Sequence, residues 1–430
     1  MVEIIPFNGY VYNKEKINDI NSVMSPPYDI ISEDMQDDLY NKSPYNFVRL
    51  ILGKQSKKDN EKDNRYTRAK DLFEKWINES IIIKHEKPAI YGYKIKCKIK
   101  GQIKTMSGFF TLLKLDPEYK TVKAHERTLS KPKADRLNLM RACNANLEPI
   151  YLLYIDKEDK IRKKIDQSNA KPIFDIRGYD TFNHKLWKIE DKNIISFVQD
   201  QLEYKDLFIA DGHHRYQTAV NYANEMREKT GNKQENAPFN YRMVILSNLF
   251  DEGLSIFPTH RLVKKSDINV EKTIEKLKEL FFIKEKAIDN KKDITKKIKD
   301  DLETTNEHKF ALYMKDRYYI LTLKDEKTMD KFAKDKSKTW RTLDVSILHK
   351  IIFENYMGIS QENLEDHIKY TREDEGAIES VDKGKFDFSF LMNPTKIEEL
   401  KSVAEAGEHM PQKSTYFLPK MLSGLVIYKM

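Results

Sequence analysis

The stretch "IADGHHRYQTAV", residues 209 to 220, sets an acid, a glycine, two adjacent histidines and an arginine side by side. Leu207, Phe208 and Ile209 before it form a strand-like apolar run. Tyr216, Ala219, Val220 and Ala223 after it repeat at helical spacing. The spacing predicts a strand, a tight turn at Asp211-Gly212, and a helix that starts near His213. A helix N-terminus carries a partial positive charge and attracts anions. Arg215 would add a forked phosphate contact there. His213 and His214 would donate or relay protons. Asp211 is suited to capping the helix, to acting as a base, or to holding a metal ion. Gly212 would let a phosphate approach the backbone closely. The plain alternative is an Asp-capped helix with solvated histidines.

Four other segments carry ionisable or hydroxyl groups at suggestive density. "VKAHERTLSKPKADR" brings together His125, Glu126, Arg127, Lys131, Lys133, Asp135 and Arg136. Such a mixed set suits a phosphoryl acceptor; the alternative is a polar surface loop. "SPPYDIIS" places Asp29 after a stiff Pro-Pro turn, and "FPTHRLV" puts His260 and Arg261 at a strand end. "GEHMPQKSTYFLPK" sets Lys413, Ser414, Thr415 and Lys420 around prolines near the C-terminus. Lys413, Ser414 and Thr415 offer an ammonium and two hydroxyls to phosphate oxygens.

The usual phosphate loops are absent. No two of the 14 glycines stand as Gly-x-Gly, and there is no Gly-x-x-x-x-Gly-Lys or His-Glu-x-x-His. Phosphate chemistry here would have to rest on side chains and a helix N-terminus.

These residues need elements to hold them. A length of 430 residues suggests two or three domains, and 40% hydrophobic residues suffice for their cores. Residues 1 to about 150 mix strands ("AIYGYKIKCKIK", "TMSGFFTLLKL") with helices such as "RYTRAKDLFEKWINES". "PIYLLYI", "YKDLFIA" and "NYRMVILSNLF" read as buried strands. Past Ser266, "INVEKTIEKLKELF" and "ITKKIKDDLETT" read as helices, and "HKFALYMKDRYYILTLKD" as a hairpin turning at Asp316-Arg317. "LDVSILHKIIFENYM" reads as a helix, then strand and helix alternate to the end. The fold class is α/β, in the mixed α+β sense. The expected organisation is a catalytic core over 1–265, a small α/β insertion or second domain over 266–340, and a C-terminal α/β segment over 341–430. The last segment's "MPQKSTYF" loop is expected to return to the site.

Net charge is +8, from 76 basic and 68 acidic residues. The charge-rich segments alternate in sign, which describes a solvated surface and not a nucleic-acid stripe. No apolar run reaches membrane-spanning length, and the first residues lack a signal pattern. Cys97 and Cys143 show no metal or redox spacing. The expectation is a cytoplasmic protein with no nucleic-acid or membrane partner; its oligomeric state stays open.

"SPPYDIIS", "AHERTLSKPKADR", "ADGHHRYQTA", "FPTHRLV" and "GEHMPQKSTYFLPK" occur in the order found in the family known as domain of unknown function 1015, which the chain resembles nearly end to end. "DGHHR" also resembles the core motif of the ParB/sulfiredoxin superfamily, which implies a ParB/sulfiredoxin-like catalytic core. Sulfiredoxin has a reactive Cys where His213 stands here, so sulfinic-acid chemistry is not expected. ParB carries a Glu-Arg-Arg variant used in CTP binding, but its DNA-binding helices are not apparent. Free-serine kinases carry Asp-Gly-His-x-Arg and a separate catalytic Glu after a His; by that resemblance "AHER" supplies Glu126.

The resemblance implies a phosphotransferase that acts on a small hydroxyl compound, with free L-serine first among acceptors. ATP, ADP or pyrophosphate would be the donor and Mg²⁺ the ion, near Asp211. Glu126 or Asp211 would take the hydroxyl proton, helped by His213 and His214. Gly212, Arg215, Lys413, Ser414 and Thr415 would face the donor phosphates. His125, Arg127, Asp135, Arg136, His260 and Arg261 would face the acceptor. The alternatives are a ParB-like nucleotide-binding regulator, and a phosphatase or nucleotidase on the same anion site.

Overall fold

The computed structural model describes residues 1–99, 101–124, 130–231, 234–265, 267–288, 290–303, 307–411 and 413–430. These fall into two units. The first holds residues 1–124, 130–255 and 419–430, and the second holds 256–418.

A nine-stranded mixed sheet forms the first unit. In chain order its strands are β1 (Ile4–Ile5), β2 (Ile90–Ile99), β3 (Gln102–Lys114), β4 (Val122–Lys123), β5 (Ile150–Tyr154), β6 (Pro172–Arg177), β7 (Asn183–Ile189), β8 (Leu207–Asp211) and β9 (Tyr241–Asn248). Their order across the sheet is β4-β8-β5-β9-β3-β2-β7-β6, with β1 paired to β3. The long hairpin β2–β3 and its neighbours are antiparallel, whereas β5 and β9 run parallel. Every residue of β5 and of β9 is buried. That explains their near-continuous apolar sequences, since strands covered on both faces lose the polar alternation.

The longest helices of this unit are α1 (Arg65–Asn78), α2 (Ser130–Cys143), α3 (Lys192–Leu202) and α4 (His213–Thr230). Asn64 and Thr67 close a reciprocal capping box at the start of α1. Tyr216, Ala219, Val220 and Ala223 of α4 join Leu152, Ile209, Val244 and Leu246 in one core cluster. The predicted i, i+3, i+4 face is the buried one.

The C-terminal segment belongs to this unit as well. Ser423 exchanges two backbone hydrogen bonds with Ser25, and Ile427 two with Tyr10. Tyr428–Lys429 then pairs antiparallel with Ala145–Asn146. Residues 419–430 are thus laced into the first unit by backbone bonds at several points.

The second unit is built on a six-stranded sheet, antiparallel throughout. Its strands are β10 (His260–Val263), β11 (Phe281–Ala287), β12 (Lys309–Tyr313), β13 (Arg317–Leu323), β14 (Ile368–Thr371) and β15 (Phe388–Met392), in the order β11-β13-β12-β15-β10-β14. The hairpin expected at Asp316-Arg317 is β12–β13, with Tyr313 opposite Tyr318. Leu262, Ile298, Ala311, Tyr313, Ile378 and Leu391 share its core. The helix read in "LDVSILHKIIFENYM" is α-helical over Asp344–Ile347 and then π-helical over Leu348–Tyr356.

No helix among the described residues is long and apolar enough to cross a membrane.

Candidate functional site

The chain turns from β8 into α4 at Asp211-Gly212. The register of β8 against β5 slips between Ile209 and Asp211, so Ala210 is an extra residue in the strand. Bulges of this kind re-aim side chains at strand ends. Gly212 follows with φ of 94°, a left-handed conformation that a side chain disfavours. A Cβ there would also come within 2.9 Å of the Arg215 Nε. Glycine is favoured twice, by the backbone and by the arginine packed against it. Helix α4 starts at His213, and the Tyr216 N–H donates to the Gly212 carbonyl at 2.9 Å.

Asp211 does not cap the helix. Its two oxygens accept from different cations: Oδ2 from the Arg215 guanidinium, and Oδ1 from the Lys420 ammonium. All three side chains are largely buried. Burial by itself would lower the Arg215 pKa, but Asp211, Glu148 and Asp29 outweigh it and hold the group above its usual value. His213 is buried at the first helical position, and His214 is half-buried.

Arg215 reaches a second carboxylate. Its Nη1 lies 3.8 Å from Glu148 Oε1. Glu148 is itself buried and accepts from the Tyr28 N–H and the Ser423 hydroxyl, both at 3.1 Å. Arg136 of α2 stands 3.5 Å from the other Glu148 oxygen. The Arg136 guanidinium lies over the Tyr28 ring at 3.9 Å, donates to the Ile51 carbonyl at 2.8 Å, and donates through Nε to Asp135 at 2.8 Å. Asp135 accepts as well from Tyr66, at 2.7 Å, and from Arg65. Burial would raise the Asp135 carboxyl, but Arg136, Tyr66 and Arg65 together hold it below the usual carboxylate range. The two residues expected to hold an acceptor's charged groups therefore pair first with each other.

Two small cavities flank Arg215. One, of about 10 Å³, is lined by Asp211, Lys420, Tyr151 and Ser423 among others. The other, of about 30 Å³, is lined by Arg136, Glu148, Thr218 and Arg242. Arg215 lines both.

Residues 4–346 match the family model described as "Protein of unknown function (DUF1015)". The chain belongs to the DUF1015 family. No curated protein matches it in sequence. Among solved structures, a free serine kinase mutant in complex with ADP is similar at 15% identity, with 72% of this chain and 87% of that chain covered and a TM-score of 0.36. A conserved hypothetical protein from Pyrococcus furiosus is similar at 15% identity, with coverages of 72% and 90% and a TM-score of 0.34. SbnI from Staphylococcus aureus, truncated at its C-terminus, is similar at 12% identity, with coverages of 73% and 85% and a TM-score of 0.36.

In this DUF1015 chain the remaining expected site residues divide between two places. His125, Glu126 and Arg127 lie outside the described residues. His260, Arg261, Lys413, Ser414 and Thr415 belong to the second unit. His260 Nδ1 accepts the Met392 N–H at 3.3 Å, so Nε2 carries the proton it donates to Asp374 at 3.0 Å. Arg261 is fully buried; it donates to the Thr259 carbonyl and, at 3.3 Å, to the Lys413 carbonyl. The Ser414 hydroxyl donates to the Pro411 carbonyl within its own turn, Thr415 is buried, and Lys413 is exposed with a φ of 55°.

The cluster around Asp211 and Arg215 holds three groups that sequence reasoning did not assign: Glu148, Arg242 and Lys420. Lys420 stood in a segment already singled out, but nothing local distinguished it from Lys413. Glu148 had one signal, an acid two residues before a fully apolar strand. Arg242 had a similar one, a guanidinium inside the otherwise buried strand "YRMVILSN".

Proposed function

We propose that this DUF1015 chain is a phosphotransferase that phosphorylates a small hydroxyl compound, with free L-serine as the first acceptor to test and ATP, ADP or pyrophosphate as donor. One observation carries the reading: Asp211 is gripped by Arg215 and Lys420 at the mouth of an 18-residue helix. A base, two cations and a helix N-terminus at one point are the parts a phosphoryl transfer uses, since that chemistry is mainly positioning and charge stabilisation.

In this scheme the donor's phosphate oxygens draw Arg215 and Lys420 away from Asp211. The freed carboxylate accepts the acceptor's hydroxyl proton as its oxygen bonds to phosphorus. The bond from phosphorus to the donor's bridging oxygen breaks, and the shortened donor leaves with that electron pair. His213, at the first position of the helix, would pass the proton on. Glu126 is the alternative base suggested by the motif resemblance.

Mg²⁺ accompanies many phosphate donors and is held by one or two carboxylates together with the phosphates and water. Here both oxygens of Asp211 already serve cations, and among the described residues no group of three His, Cys, Asp or Glu side chains stands together. The described residues do not form a protein-built metal centre, and no step above uses one.

The test is a phosphorus NMR assay of the purified protein with each donor, with and without L-serine. O-phosphoserine with serine-dependent donor loss supports the proposal. Phosphate release that ignores serine points to a hydrolase, and donor binding without turnover to a nucleotide-binding regulator.

A further inference from the structure

Arg242 is a buried charged group of the first unit that takes no part in the proposed phosphoryl transfer. It lies on β9 and is 4% exposed. Its Nη2 donates to the Glu148 carbonyl at 2.8 Å. Its Nε and Nη1 are buried and have no hydrogen-bond partner among the described residues. Leaving buried donors unpaired is expensive, and native proteins do so rarely and for a reason. Burial, with Arg215 adding repulsion against the pull of Glu148, lowers the Arg242 pKa to about 9. The group still carries its charge at neutral pH.

Charge and volume define what would satisfy it. Arg136 pairs with Asp135 and Glu148, and Arg215 with Asp211 and Glu148. Arg242, by contrast, donates among the described residues to a backbone carbonyl and to no carboxylate, so the cluster has room for one more negative charge. The cavity that Arg242 lines measures about 30 Å³. A water needs roughly 10–15 Å³ on such a measure, so the enclosed part takes about two oxygen-sized atoms. One charge spread over two oxygens is a carboxylate.

We infer that the Arg242 cavity binds the carboxylate of a small hydroxy or amino acid. Calling that acid the phosphoryl acceptor rests on the proposed function; the binding itself does not. Arg215 walls this cavity and the Asp211 cavity alike, so an acid anchored on Arg242 lies one side chain away from Asp211.

Isothermal titration calorimetry of the full chain with acetate, glycolate, ethanolamine and chloride tests the inference directly. Acetate and glycolate should bind, ethanolamine should not, and chloride should not displace acetate at equal concentration. Arg242→Met should weaken acetate binding by about tenfold or more, the usual worth of a charge-assisted hydrogen bond. Should that variant not fold, Thr218→Leu fills the cavity from another wall, keeps Arg242, and should abolish binding. No acetate or glycolate binding by the wild type, binding that survives both changes, or equal competition by chloride would each overturn the carboxylate site. The kinase reading fails separately: acetate would then bind through Arg242 while no donor is consumed with any hydroxyl acid. Phosphorylation of L-serine and ethanolamine at equal KM would instead reject the Arg242 site and keep the kinase.

Discussion

Asp211 and Lys420 are 209 residues apart in the chain and share an ion pair in the fold. The second oxygen of Asp211 is taken by Arg215, four positions along the same helix entry. The carboxylate is therefore fixed from one side by local geometry and from the other by the C-terminal segment that Ser25, Tyr10 and Ala145–Asn146 hold in place.

Lys420→Ala should reduce donor consumption by about tenfold or more, because one charge-assisted contact to phosphate is lost. Lys420→Arg keeps the charge and should recover part of the rate. Initial velocities over a range of donor concentrations measure both; unchanged kinetics in Lys420→Ala would remove the lysine from the site.

Arg215→Ala should do more than slow the reaction. A solvated phosphate contact could be deleted with the fold intact, but Arg215 is buried between Asp211 and Glu148. Removing it takes one cation from each of two buried carboxylates, and although Lys420 still holds Asp211 and Arg136 stands by Glu148, the loss should cost about 1–3 kcal/mol. Urea unfolding should show the loss, and Arg215→Lys should lose less.

Gly212→Ala combines two penalties. A side chain at φ of 94° costs roughly 1–2 kcal/mol, and the new methyl meets the Arg215 Nε at 2.9 Å. To escape that contact the guanidinium must shift away from Asp211. The melting temperature should fall modestly and kcat/KM by a larger factor; an equal fall in both would mean that Gly212 serves the backbone alone.

Acid should weaken the second unit through Asp374. Burial would raise this carboxyl, but His260 and Lys299 outweigh it and hold it at about 2. A folded-state pKa below the unfolded value of about 3.9 gives stability that is full above that value and is lost as pH falls toward 2. The unscreened shift is worth about 2.6 kcal/mol, and solvent at this half-buried carboxyl reduces it to about 1–2 kcal/mol. Asp374→Asn should therefore be less stable than the wild type at pH 6, with the gap narrowing between pH 4 and pH 2. A gap in urea midpoint that stays constant over that range would exclude the linkage.

The turn at Asp211-Gly212 and the start of α4 were readable from residue types. A strand-like run, an Asp-Gly pair and a helical apolar period are local signals, and local backbone physics decides their outcome. The same holds for the buried strands β5, β8 and β9 and for the β12–β13 hairpin. The π-helical stretch Leu348–Tyr356 was not readable, since its apolar spacing also suits an α-helix.

The partners of the candidate site were a different matter. Apolar periodicity says which face of an element goes inward. It does not say which charged residue at an element's end will meet another from a distant segment. Glu148 and Arg242 are drawn in because β5 and β9 lie side by side as parallel neighbours, and Lys420 because the last residues return to the first unit. His260 looks the same in sequence as a free imidazole, yet β10 places one of its nitrogens against the Met392 N–H and the other against Asp374. By itself the sequence determined where helix α4 begins and which residues stand at its mouth. Which charges are neutralised there, and that Arg242 keeps two donors unused, only the tertiary structure decided, because ion pairing depends on distances between segments far apart in the chain.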